Sequence, residues 1–164
     1  MPLSFLPLLA DQLGATDVTQ SMLVSLYIAV VMLGGTVAAL LGRRFGARRL
    51  VYASFAVLTA GIVTAAIAPA LPVLFASQFL IGLSLGTCYP VLMGLSIRDV
   101  ADAERATAMG LHQAVYAVGM FAGPWLSGIL ADAVGLRPML GITAFGCLGL
   151  ALTLLRLLPG RQEA

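Results

Sequence analysis

The chain of 164 residues is 60% apolar and only 10% charged, against roughly a quarter charged in a soluble domain, which excludes a water-soluble globule. Its net charge of +2 rests on nine basic residues, all arginine and all placed between or after apolar runs, and gives no reason to invoke nucleic acid. Two cysteines, Cys88 and Cys147, lie inside apolar runs without the spacing of a disulfide framework or a metal site; they read as small apolar fillers, and no metal or other cofactor is implied.

Residues 1–10 are apolar but cover only about 15 Å at about 1.5 Å per residue, half a bilayer core. They read as the last half of a first span cut off by the start of the chain. No basic residue precedes Arg43, so the stretch lacks the basic region of a secretory signal. Five runs free of Asp, Glu, Lys and Arg follow, at 21–42, 50–69, 71–97, 106–131 and 138–155, and each meets the requirement of about 18 to 20 residues for a spanning helix. The predicted fold class is an all-α polytopic membrane helical bundle, five full spans plus a partial first span. As a single unit over 1–164 it places helices near 1–10, 20–42, 50–69, 71–97, 105–131 and 138–158. The links at 68–72 and 135–138 use Pro69, Pro72, Gly135 and Pro138 to stop and start helices, and they leave no room for a soluble domain. The tail at 159–164 carries nothing foldable.

With the spans drawn, the arginines are lopsided. Arg43, Arg44, Arg48 and Arg49 follow the second span, Arg98 and Arg105 follow the fourth, and Arg156 and Arg161 follow the sixth, leaving Arg137 alone on the other side. The positive-inside rule puts the C-terminus in the cytoplasm and the 11–19 segment outside, in a protein integral to the cytoplasmic (plasma or inner) membrane. Asp99, Asp102 and Glu104 precede the fifth span, where acidic groups favour a helix N-terminus by capping and through the macrodipole.

Projection at 100° per residue shows which faces are unusual. On the fifth span His112, Tyr116, Gly119, Gly123 and Ser127 share a stripe flanked by Gln113, Met120 and Pro124. On the fourth, Gln78, Gly82, Leu85, Tyr89 and Ser96 align, and on the second Gln20, Tyr27, Val31, Gly34 and Ala38 do. The third and sixth spans scatter Thr59, Thr64 and Thr143 without a stripe and read as mostly facing lipid. Close helix packing explains the glycines. For Gln78, Tyr89, His112, Gln113 and Tyr116 two readings stand side by side, a bond to a neighbouring helix or the lining of a cavity, because polar side chains are costly at membrane depth.

The loop 39–49, with Leu41, Arg44, Gly46 and Arg48 in register, resembles the G-x-L-a-D-R-x-G-R-R signature of major facilitator superfamily transporters, although Ala39, Arg43 and Ala47 depart from it. The run Gly119, Gly123, Pro124, Ser127 and Gly128 is similar to that family's G-x-x-x-G-P-x-x-G-G element with Ser127 for one glycine, and 105–110 also looks like the family. The resemblance implies one six-helix half of a twelve-helix transporter, here the C-terminal half truncated in its first helix, with solute bound between halves near the midplane. It makes Gln78, Thr87 and Tyr89 candidate solute contacts. It places Tyr27, His112, Gln113 and Tyr116 at the moving interface, where the last three join the candidate solute-binding set. Arg44, Gly46 and Arg48 become a gating loop, set against the plainer reading in which the arginines only fix orientation, and Gly119, Gly123, Pro124 and Gly128 become a packing motif.

No carboxylate lies mid-membrane, and His112, about 12 Å along its helix from Glu104, is the one side chain inside a span able to switch near neutral pH, as a coupling group or as a hydrogen-bonded packing histidine. Two functions follow. The first is transmembrane transport of a small solute, with partners that include the lipid bilayer and a second six-helix half supplied by upstream sequence, another chain or self-association. The alternative is a non-transporting membrane partner or inactive remnant that docks on another helical bundle. No nucleophile with an adjacent base, ligand cluster or phosphate-cradling loop points to an enzyme.

Overall fold

A computed structural model describes residues 2–157. Residues 158–164, with Arg161 and the tail, lie outside the described residues, and so do the side chains of Arg43 and Arg156. The elements are α1 (Pro2–Gln12), α2 (Asp17–Phe45), α3 (Ala47–Ala66), α4 (Leu71–Ile97), a 3-10 turn (Asp102–Glu104), α5 (Arg105–Val134) and α6 (Leu136–Leu157). The fold is all-α, and α2 to α6 are each long and apolar enough to cross a membrane.

The helices are joined by few residues, and two of the joins demand glycine. Gly46 is the single residue between α2 and α3, and Gly135 the single residue between α5 and α6; their φ values of 78° and 90° lie where a Cβ is strained. Thr16 starts α2 by accepting a bond from the Thr19 backbone N–H at 3.3 Å. The expected acidic cap of α5 does not form. Glu104 makes no capping bond, and Asp102 pairs with Arg105 at 2.9 Å on the exposed surface, because the 3-10 turn carries the acidic groups past the free amides.

Helix α4 is the centre of the bundle, packed between α2 and α3. It approaches α2 through backbone: a Cβ on Gly34 would stand 2.8 Å from Leu83 O, and one on Gly82 would stand 3.2 Å from Tyr27 O. Gly86 fits against the backbone of Val31 in the same way. Two hydroxyls of α4 bond its neighbours, one on each side. Thr87 Oγ1 donates to Gly34 O at 3.2 Å, and Ser84 Oγ donates to Ser54 O on α3 at 2.6 Å.

The larger apolar core lies at the end of the bundle where α1 packs, built from Leu6, Leu9, Leu23, Ile62, Leu74 and Met139, whereas Val51, Cys88 and Ala151 make a small cluster toward the opposite end. Helix α3 departs from expectation. It buries more of its length than any other spanning helix, through Leu50, Ser54, Gly61 and Ala65, instead of mostly facing lipid. Its small residues are irregularly spaced, so they make no stripe, yet they admit α4 on one side and α6 on the other.

Arg137, at the start of α6, holds the end of α3. Its guanidinium donates to Ala66 O at 3.1 Å and to Ala68 O at 2.8 Å, satisfying carbonyls that the helix end leaves free. Arg137→Ala is expected to lower stability by about 1 kcal/mol, read as a lower thermal midpoint in detergent. An unchanged midpoint would show the contact to be idle.

Candidate functional site

Helix α5 leans on the bundle through its C-terminal half, where Gly123 and Ser127 are buried, while nearly all of its N-terminal half is exposed. Side chains tether that half to α4. His112 Nδ1 lies 2.8 Å from Ser96 Oγ, which also donates to Leu92 O at 2.9 Å. One residue on, Gln113 Nε2 donates to Tyr89 Oη at 2.7 Å. The Tyr89 ring meets Tyr116 at 5.1 Å between centroids, tilted by 56°, and His112 at 6.2 Å.

The bonding leaves capacity pointing outward. With Nε2 of Gln113 engaged by Tyr89 Oη, the Tyr89 hydroxyl hydrogen is free to donate and Gln113 Oε1 is free to accept. Neither carboxylate nor guanidinium lies within the cluster. Arg98, Glu104 and Arg105 stand at the join between the C-terminal end of α4 and the start of α5. The result is a set of two phenols, an amide and an imidazole at membrane depth, with hydrogen-bond donors, acceptors and ring faces that a polar or aromatic solute could meet.

The structure brings together Tyr89, His112, Gln113 and Tyr116 from the candidate set and leaves Gln78 and Thr87 elsewhere. Thr87 is buried with its hydroxyl on Gly34 O, a contact between α2 and α4. Gln78 lies about 16 Å up α4 from Tyr89, buried, with Oε1 lacking a partner among the described residues, as is Oγ of Ser127. Ser96 was visible only as one member of a stripe, and nothing in the sequence separated its role from that of its neighbours. A shallow hollow of about 510 Å³ between α1 and α2, lined by Pro7, Asp17, Gln20, Ser21, Val24 and Ser25, shares no residue with the cluster.

The sequence profile of the Major Facilitator Superfamily matches residues 1–164. The chain belongs to that superfamily. Over 131 residues, 79% of this chain and 33% of the relative, it is 34% identical to "Tetracycline resistance protein, class C" of Escherichia coli. Over 134 residues, 81% of this chain and 29% of the relative, it is 28% identical to "Putative metabolite transport protein YwtG" of Bacillus subtilis (strain 168). The chain thus spans about a third of the length of these relatives.

In this superfamily member the signature loop has shrunk to Gly46, with Arg44 and Arg48 in the flanking helix ends. Both are exposed; the Arg44 guanidinium lies 5.7 Å from the centroid of the Phe45 ring and that of Arg48 lies 5.9 Å from Tyr52. The glycine-proline element is split. Helix α5 runs without interruption through Pro124, Gly123 is buried, and a Cβ on Gly119 or Gly128 would meet nothing within 4 Å among the described residues.

Proposed function

We propose that this chain serves transmembrane transport of a small solute as one half of a Major Facilitator Superfamily carrier, with the seam between α4 and α5 as part of the solute path. The observation that carries the reading is the cluster that Tyr89 of α4 makes with His112, Gln113 and Tyr116 of α5, the least buried of the spanning helices. Polar groups at membrane depth are costly without a partner, and solute or a second bundle supplies one. The apolar exposed residues Val115, Val118, Phe121 and Trp125 of α5 and the open space at Gly119 support a second six-helix bundle docking there. Gln78 and Thr87 then belong to the helix that carries the seam, and Arg44 and Arg48 to the cytoplasmic ends that meet in one state of the access cycle. In the same reading the protein sits in the cytoplasmic membrane with its C-terminus inside.

Everted membrane vesicles from cells making the chain together with a second six-helix half, offered labelled tetracycline and labelled tetraphenylphosphonium, test the transport reading. Saturable accumulation above that of vesicles lacking the chain is the expected result, and equal accumulation of both probes contradicts it. Orientation has its own check: green fluorescent protein fused after Ala164 is expected to fluoresce and alkaline phosphatase fused there to stay inactive. The reverse pattern would invert the topology.

A further inference from the structure

Two buried oxygens, Oε1 of Gln78 on α4 and Oγ of Ser127 on α5, have no hydrogen-bond partner among the described residues, and each residue is only 2% exposed. A buried polar atom without a partner is costly enough that nearly all of them in native proteins are bonded, to protein or to ordered water.

The register of the two helices brings these oxygens to one place. Ser96 meets His112 and Tyr89 meets Tyr116, so α4 and α5 run antiparallel. Gln78 lies eleven residues before Tyr89 and Ser127 eleven residues after Tyr116, so each is about 16 Å from the ring contact, in the same direction. Eleven residues make three full turns of helix and only about 20° more. Both side chains therefore leave their helices on the faces that meet at Tyr89 and Tyr116, and at one level. That level is enclosed: Leu6 and Leu9 of α1 are buried there with Leu74 of α4 and Met139 of α6, and Leu130 of α5 packs against them.

The helices themselves do not satisfy the pair. Thr59, Ser96 and Thr153 return their hydroxyl hydrogens to the carbonyl four residues back, and Ser77, beside Gln78, donates to Leu74 O. Ser127 makes no such bond. Charge does not serve either. Asp132 is exposed and about 140° around α5 from Ser127, and Arg137 is engaged with Ala66 O and Ala68 O. One amide oxygen and one hydroxyl are too few to hold a cation. An amide oxygen only accepts, whereas a hydroxyl also donates, so the ligand that suits both is small, uncharged and able to donate and accept at once. Water has that chemistry.

We propose that an ordered water molecule is bound between Gln78 and Ser127, donating to Gln78 Oε1 and accepting the hydrogen of Ser127 Oγ. The bridge ties α4 to α5 at the enclosed end of their seam. It gives Ser127, which stands where the superfamily element has glycine, the task of keeping Gln78 satisfied. The site does not depend on the solute path, which lies about 16 Å away.

Water-to-protein cross-relaxation, measured by NMR on the full chain in detergent with its glutamine amides labelled with nitrogen-15, reads the site directly. The Gln78 amide is the signal that Gln78→Leu removes. It is expected to show a cross-peak to water with the sign of a slowly exchanging molecule, and to lose it in Ser127→Ala. Stability gives a second reading. Gln78→Leu and Ser127→Ala are each expected to lower the thermal midpoint by at least about 3 °C, since each strands the other group in the interior. The double variant strands neither, so its fall is expected to be smaller than the two single falls added together. A Gln78 amide without a water cross-peak, or one whose cross-peak survives Ser127→Ala, overturns the proposal. Additive falls overturn it as well. Coupled falls without a water signal mean a direct bond between the two side chains and defeat it too.

Discussion

Gly86→Ala lowers the stability of the bundle by about 3 kcal/mol, seen as a large fall in the thermal midpoint in detergent and loss of a monodisperse species. The added methyl would meet the main chain of Val31, not the end of a flexible side chain, so relief requires α2 and α4 to separate. Separation also breaks the bond from Thr87 to Gly34 O and loosens the contact at Gly82. Gly119→Ala and Gly128→Ala form the contrast. Nothing within 4 Å among the described residues meets either methyl, so each changes the stability of the chain by less than about 0.5 kcal/mol. Equal sensitivity of Gly86 and Gly119 would mean that α2 and α4 are not packed through backbone.

Gln113→Leu separates function from folding. Gln113 is exposed, and its single side-chain bond is the one to Tyr89 Oη, so a leucine facing lipid at that position changes stability by less than about 1 kcal/mol. The same change removes the donor that orients the Tyr89 hydroxyl and the free carbonyl oxygen beside it. Solute affinity is expected to fall at least about tenfold, the worth of one or two hydrogen bonds in a site shielded from water. Saturation of flux measured at equal protein abundance checks it. Unaltered affinity would reduce Gln113 to a packing residue.

The spanning helices were legible because length without charge has one reading in a chain this apolar, whereas α2 runs to Phe45 and α5 to Val134, a turn beyond the uncharged runs, because helix continues until Gly46 and Gly135 turn the chain. Contacts were less so. Gly86 and Gly119 each sit in a stripe of small residues at helical spacing, and only the tertiary arrangement shows that the first meets a backbone and the second open space. Thr87 was assigned toward solute from its place on the fourth span, but it projects toward α2, while Tyr89, two positions on, meets α5. The buried face of α3 escaped notice since Ser54, Thr59 and Gly61 do not repeat at one interval. The contact of His112 with Ser96 joins α5 to α4, a relation across two helices that periodicity within one cannot express. Arg137 advertised only its charge.

Alternating access is the property on which the proposed role turns, and it can be read without knowing the solute. Tyr116→Cys in a chain whose Cys88 and Cys147 are replaced by alanine puts one thiol in the seam, about 16 Å along α5 from Arg105. A membrane-impermeant maleimide applied in turn to each face of sealed native vesicles is expected to label it from both. Labelling from one face only, or from neither, would contradict a solute path through the α4–α5 seam.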